Sequence, residues 1–387
     1  MTHDFIPYGR QHINDADIAA VVDVLRSDWL TQGPSVPAFE QRVTARCGAL
    51  HGVAVCNATA ALHLACLALG LGPGGRLWTS PNTFVASANC ALYCGASVDF
   101  VDIDTATLNM SVEALAAKLV KAEIAGNLPD IVVPVHFGGQ PCEMDRIAAL
   151  AAKYGFAIIE DASHAVGANY QGEPSGNCRW SDIAVFSFHP VKIMTTAEGG
   201  MAMTRHDDLA ERMRLLRSHG ITRAPDQMTG ESQGAWYYEQ IDLGYNFRMT
   251  DLQAALGLSQ LNRLDEFLKR RRDLVAGYEK LLADLPVSTQ QLHPDAQSAW
   301  HLYVVRLTGR ADKRRAVFDS LRREGIGVNV HYIPVHLQPH YRQFGFAAGD
   351  FPEAERYYAE ALSLPMYPGL TPEAQSRVVR SLEAALG

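Results

Sequence analysis

No run of about 18 apolar residues free of charge occurs in the 387-residue sequence, so no membrane-spanning helix is expected. The opening residues, MTHDFIPYGRQ, lack a basic segment followed by an apolar one, so no signal peptide is expected either. Positive charge is in deficit: 34 lysines and arginines stand against 42 aspartates and glutamates, a net charge of −8. That balance excludes a nucleic-acid partner held by bulk electrostatics. The basic blocks KRRRD (269–273) and DKRRA (312–316) are local exceptions that read, at helical spacing, as solvated faces. The seven cysteines (Cys47, Cys56, Cys66, Cys90, Cys94, Cys142 and Cys178) form no CxxC pair, and several lie in apolar helical runs such as ALHLACLALGLG. They read as buried thiols of a reduced, cytoplasmic protein without disulfides or a zinc site. Phosphate-loop and nucleophile fingerprints are missing as well. GLGPGG is a turn and not GxGxxG, and neither GxxxxGKS/T nor GxSxG occurs.

What is present is an ordinary globular composition, 48% hydrophobic and 20% charged, on a chain too long for one small core. From about residue 50 to 205, short apolar strands alternate with helical patterns: HGVAVCN, GGRLWTSP, SVDFVDID, DIVVPVHFGG, FAIIEDAS and DIAVFSFH carry the strands. Helices such as ATAALHLACLALGLG and MDRIAALAAKYG separate them. This alternation predicts a mostly parallel sheet wrapped in helices, with ligands beyond the carboxyl ends of the strands. Polar clusters fall at those ends: CNATAA, SPNTF, EDASHA and SFHPVK. Past residue 207 the pattern changes. DDLAERMRLLRSHG reads as an amphipathic helix and LQAALGLSQLNRLDEFLKRRRDLVAGYEKLLADL as one long helix. AWHLYVVRL, RRAVFDSLRREG, IGVNVHYIPVH and QSRVVRSLEAAL then give a strand–helix–strand–helix set. The expected division is a large domain over 1–250 and a smaller C-terminal α/β domain over 251–387, with no internal repeat.

The stretch VFSFHPVKIMTTAEGG (185–200) places Lys192 between a buried strand and a compact loop of small residues. Most lysines lie at the surface, but one held where water is scarce has its ammonium form disfavoured and offers a free amine to a carbonyl. Glu160 and Asp161 end another strand, one on each face. Asp161 reads either as a helix cap or as a carboxylate that keeps a ring nitrogen protonated. A Schiff-base lysine and a pyridinium-holding aspartate together are what pyridoxal 5′-phosphate chemistry requires. CNATAALHLA offers a helix start and the Thr59 hydroxyl as a phosphate cradle, although an empty cap would look the same. Ser187 could add a hydroxyl. Phe84 reads as a core residue or as a ring stacked on the cofactor. His12, His51 and His63 lie in helical patterns, while His136, His164 and His189 follow strands without metal-ligand spacing, so no metal site is expected.

EDASHA followed by SFHPVKIMTTAEGG, together with LTQGPSVPAFEQ, NATAALHLA, GYNFRMTDLQAALGLSQL and ALSLPMYPGLT, resembles the DegT/DnrJ/StrS sugar aminotransferases across nearly the whole chain. The resemblance implies fold type I, a mostly parallel central sheet flanked by helices plus a smaller C-terminal α/β domain. It implies that Lys192 bonds to pyridoxal 5′-phosphate and moves the proton, and that Asp161 pairs with the ring nitrogen. It further implies that His164 lies beside the ring, that Phe84 stacks on it, and that Ala58, Thr59 and Ser187 hold the phosphate or nearby groups. Asn246 would reach the phosphate of the neighbouring subunit's cofactor, which makes the enzyme a homodimer with shared sites. Tyr8, the segment Asp28, Trp29, Leu30 and Thr31, and the segment Asn329, Val330, His331 and Tyr332 look like nucleotide-sugar contacts.

Within the family, SFHPVK…TTAEGG and VNVHYIPVHLQPHYR look most like the branch of the pseudaminic acid pathway, which passes the amino group of L-glutamate to C4 of a UDP-4-keto sugar. The branch making UDP-4-amino-4-deoxy-L-arabinose stays open, with Phe84 leaning toward the acetamido sugar. Retention of Lys192 excludes the family's dehydratases, which have histidine there. Two other readings remain: a non-enzymatic cofactor-binding regulator, for which no extra DNA-binding module is visible, and a fold type I enzyme of different outcome, such as a decarboxylase or a cysteine desulfurase, the latter with Cys178 as its loose candidate.

Overall fold

The parallel strands expected between residues 50 and 205 assemble into one sheet of seven, seen in a computed structural model that describes residues 5–387. They are β1 (His51–Val55), β2 (Arg76–Thr79), β3 (Ser97–Phe100), β4 (Ile131–Val133), β5 (Ala157–Asp161), β6 (Ile183–Ser187) and β7 (Gly200–Thr204). Their order across the sheet is β1-β7-β6-β5-β4-β2-β3. The pairings from β6 through β5, β4 and β2 to β3 are all parallel. Only β7 runs the other way, antiparallel to both β6 and β1. Strands β4 and β6 are buried along their whole length, as apolar runs covered on both faces must be.

Local signals set the helix ends. Asn57, Ser111 and Thr250 cap the helices Ala58–Ala68, Val112–Ala125 and Asp251–Leu261 by accepting a backbone N–H three residues on. Gly155 ends Met144–Tyr154 in the left-handed conformation, where a glycine carries no Cβ penalty. The helices cover the sheet so that the carboxyl ends of β2, β4, β5 and β6 open on one side.

The C-terminal part carries a three-stranded antiparallel sheet of Ser288–Thr289, Tyr303–Arg306 and Ala361–Leu364. The helices Leu264–Leu282, Arg314–Arg323 and Pro372–Leu386 share a core with it. The N-terminal stretch of the chain joins this core. Ile6 is buried there, its N–H bonds Gly325 O at 2.9 Å, and Tyr8 O accepts from Met366 N at 2.9 Å.

Several expectations change. The single long helix is two, Asp251–Leu261 and Leu264–Leu282, because Arg263 leaves helical geometry (φ −109°, ψ 8°). Its guanidinium turns instead to Asp17 at 2.5 Å and to His12 Nδ1 at 2.8 Å. IGVNVHYIPVH forms isolated bridges, Ile6 with Ile326 and Asn329 with Ser363, rather than a strand. The KRRRD face is not wholly solvated. Arg271 is buried, and its Nη1 donates to the carbonyls of Trp300, His301 and Met366 at 3.0–3.2 Å. Of the three histidines placed in helical patterns, only His63 sits in a helix; His12 precedes one and His51 opens β1.

Asp17 is the hub that ties the first helix, Asp15–Leu25, to the later pair. Fully buried, it accepts from Ser259 Oγ at 2.6 Å, Gln260 Nε2 at 2.7 Å and Asn14 N at 3.0 Å besides Arg263. Removing one partner of a buried ion pair leaves the other uncompensated. Asp17→Ala should therefore lower unfolding stability by about 3–5 kcal/mol, read as a fall in the urea midpoint at an unchanged m-value.

Candidate active site

Lys192 owes its position to a hairpin. Strands β6 and β7 pair antiparallel with Ser187 opposite Gly200, so residues 188–199 form a closed loop at the carboxyl end of β6. Its small residues pin it from within. Phe188 N donates to Gly199 O at 2.9 Å, while Thr196 N and Thr195 Oγ1 donate to Phe188 O at 2.9 and 3.0 Å. Gly200 is required for a close approach: a Cβ there would lie 2.6 Å from the backbone N of Ala58. The hairpin is thus pressed against the first turn of Ala58–Ala68, where Asn57 Oδ1 takes the Ala60 N–H and the earlier N–H groups have no intrahelical partner.

The Lys192 side chain opens partly on a cavity yet is surrounded by protein, and this desolvation lowers its pKa from 10.5 to about 8; the nearby Asp161 charge acts in the opposite sense. Asp161, at the end of β5, is buried. Its Oδ2 accepts from Ser87 Oγ at 2.6 Å and its Oδ1 from Ser163 N at 3.1 Å. Glu160 points to the other face of the sheet, where His136 Nε2 (3.0 Å) and Ser181 Oγ (2.5 Å) hold it.

One cavity of about 870 Å³ brings most of the expected residues together. Lys192, Asp161, His164, Phe84 and Ser187 line it with Ala58 and Thr59 from the helix start. Tyr8 and the run Asn329, Val330, His331 and Tyr332 line the rest. Phe84 is not a core residue, since 58% of it is exposed. Five expected residues lie outside this cavity. Asp28, Trp29 and Leu30 are exposed, Thr31 bridges Thr250, and Asn246 bridges Ser218.

Of the histidines that line the cavity, three are held well below their usual pKa. Burial, then the charge of Lys192, holds His164 well below its usual pKa, and the same causes bring His331 down to about 3. His301 is pushed well below by burial and by its neighbour His164, whose ring lies 4.3 Å away. His164 Nε2 lies 3.2 Å from Tyr332 Oη, and its buried Nδ1 has no partner. Sequence reasoning missed His301, Ser87 and Ser163. The histidine was visible in AWHLYVV, but no pattern ties Ser87 to a carboxylate 74 residues away. Cys178 lies elsewhere, buried, its Sγ 3.2 Å from Met203 O and its thiol pKa pushed up by desolvation. The desulfurase reading loses its nucleophile. Among the described residues, no cluster of His, Cys, Asp and Glu could hold a metal, and no helix is long and apolar enough to cross a membrane.

Comparison with known proteins matches residues 11–383 to the DegT/DnrJ/EryC1/StrS aminotransferase family. The spore coat polysaccharide biosynthesis protein SpsC of Bacillus subtilis is 42% identical over 383 residues, 98% of this chain and 96% of that protein. Among solved structures, PseC of Helicobacter pylori, an aminotransferase involved in the biosynthesis of pseudoaminic acid, superposes with a TM-score of 0.89 at 29% identity, covering 99% of each chain. The candidate sugar aminotransferase Spr1654 of Streptococcus pneumoniae, in its PLP-form, does so at 0.88 and 29% identity over 98% of each chain.

In the cofactor-free protein, competitive labelling with acetic anhydride and peptide mass spectrometry should give Lys192 a reactivity midpoint of about pH 8, against the ordinary 10.5. Because the Asp161 charge supports the ammonium form, Asp161→Ala should move that midpoint lower still.

Proposed function

The chain belongs to the DegT/DnrJ/EryC1/StrS aminotransferase family and is a pyridoxal-phosphate-dependent sugar aminotransferase. From that premise we propose that it moves the amino group of L-glutamate to C4 of a UDP-4-keto-6-deoxy-N-acetylhexosamine. The product would be UDP-4-amino-4,6-dideoxy-N-acetyl-β-L-altrosamine, on the route to pseudaminic acid. The observation that carries the proposal is the meeting of a desolvated Lys192 amine and the Asp161 carboxylate in one large cavity. The likeness to PseC supports the choice of sugar.

The residues present fit the cofactor. A buried lysine, a hydrogen-bonded carboxylate, a histidine nitrogen without a protein partner and a helix start pressed close by Gly200 face one space. Bound there, pyridoxal phosphate supplies an electron sink that lets an amino group pass from one carbon to another. The chain supplies the rest. Asp161 would hold the ring nitrogen in its protonated form. The first turn at Ala58 and Thr59, with Ser187, holds the phosphate through N–H and hydroxyl donors. Phe84 and His164, which line the same cavity, would flank the ring. Lys192 would take the proton from the amino donor's α-carbon and, in the second half of the reaction, deliver a proton to C4 of the sugar. A pKa of about 8 leaves part of its amine neutral near pH 7, as a general base must be.

Tyr8 and Asn329 to Tyr332 line the volume left for the nucleotide sugar. Asn246 and the segment Asp28 to Thr31 lie outside this cavity, and in the proposed homodimer Asn246 serves the partner's site. Trp29, Leu30, Trp236 and Leu243 are exposed apolar side chains that a partner subunit would cover. The same reading keeps the division at residue 250, between the cofactor-binding part and the smaller C-terminal part, and a cytoplasmic location in keeping with seven free thiols.

Lys192→Ala should abolish turnover with the fold intact by circular dichroism. Incubation of the wild-type protein with L-glutamate and separate UDP-4-keto sugars should convert the acetamido hexulose to an amine, seen by mass spectrometry. Conversion of the pentose ketone alone would overturn the choice of sugar.

A further inference from the structure

The Asp161 carboxylate is not held alone. Ser87 Oγ lies 2.6 Å from Asp161 Oδ2, and Thr83 Oγ1 lies 2.8 Å from Ser87 Oγ. All three side chains are buried, Ser87 completely. Chemistry fixes the direction of the chain. An ionised carboxylate can only accept, so the Ser87 proton points at Asp161. The Ser87 oxygen must then accept from Thr83, and the hydroxyls run Thr83 to Ser87 to Asp161. Thr83 follows β2 and lines the cavity, while Ser87 sits in the first turn of the helix Ala86–Tyr93, so the relay reaches Asp161 from a different strand crossing.

We infer that Ser87, backed by Thr83, is a positioning residue that keeps the proton shared between Asp161 and the cofactor's ring nitrogen on the nitrogen. This rests on the reading of Asp161 as the ring-nitrogen partner. A carboxylate that receives a hydrogen bond in its charged form is a weaker base than one that does not. With Ser87 in place, Asp161 attracts the ring proton electrostatically without taking it. Without Ser87, a buried carboxylate deprived of its donor binds that proton more tightly, and the ring loses the positive charge that makes it an electron sink. The Ser163 N–H on the other oxygen fixes the plane of the carboxylate, so the hydroxyl relay tunes basicity while the backbone fixes direction.

The test loads the full-length protein with pyridoxal phosphate labelled with 15N in the ring and reads the ring-nitrogen chemical shift, together with kcat for the glutamate half-reaction. Ser87→Ala should move the shift toward neutral pyridine and lower kcat by about tenfold or more. Ser87→Thr, which keeps a hydroxyl, should restore both, and Thr83→Val should fall between. A Ser87→Ala protein that loses thermal stability but keeps the wild-type shift would overturn the relay. Should Ser87→Ala fail to fold, Thr83→Val and Ser87→Thr decide, and a wild-type shift in Thr83→Val would overturn the Thr83 backing. Asp161→Ala separates the two readings. If it moves the shift and Ser87→Ala does not, the relay fails and the site reading stands. If neither moves it, Asp161 is not the ring's partner and both fall.

Discussion

Everything at this site turns on an amine and a carboxylate held together out of water. Burial disfavours the charged form of each, and their mutual attraction offsets part of that cost. For Lys192 desolvation wins, leaving the pKa at about 8, while Asp161 is given two hydrogen-bond donors. The surrounding histidines follow from the same balance. Burial first, and the positive charge of Lys192 after it, holds His164, His301 and His331 below their usual pKa. The pocket therefore offers rings and neutral nitrogens around one titrating amine.

Topology delivers the two groups to the same place. Parallel strands bring their carboxyl ends to one side, which puts Asp161 beyond β5 and the lysine loop beyond β6. A parallel crossover after β6 would carry the chain away from the site. Instead β7 returns directly beside β6, so Lys192 sits on a loop closed at both ends by strand pairing. Packing of that loop against the helix Ala58–Ala68 depends on Gly200, since any side chain there would strike the backbone of Asn57 and Ala58. One reversed strand thus joins the lysine to the start of the helix Ala58–Ala68.

How much of this could be read from residues alone follows from how local each cause is. The strands β1 to β6 were legible because apolar runs between turn residues are local signals, and Lys192 and Asp161 because each follows such a run. Strand β7 was not read: GMAMT opens on the second of two glycines and shows no alternation, and its place depends on two neighbours already in position. The break at Arg263 was invisible because its cause, Asp17, lies 246 residues away. Arg271 belonged to a block of like charges, and only the packing of three distant carbonyls around it explains its burial. Ser87 is a further case of a partner supplied by the fold.

Glu160 and Asp161 show the same division within two adjacent residues. Both end β5, both are buried carboxylates, and composition offers nothing to separate them. Alternation along the strand sends one side chain to each face. On its face Glu160 meets His136, whose Nδ1 accepts the Cys142 N–H at 3.2 Å. The proton of neutral His136 must then sit on Nε2, which donates to Glu160, while Ser181 satisfies the other oxygen. Both Glu160 oxygens are engaged by protein, so this carboxylate anchors the strand. Asp161 also receives one donor on each oxygen, but it faces an open cavity of about 870 Å³, and its free lone pairs can meet a ligand. The closed network behind the sheet fixes the end of β5, and that fixed end is what lets the carboxylate in front hold its angle to whatever the cavity binds.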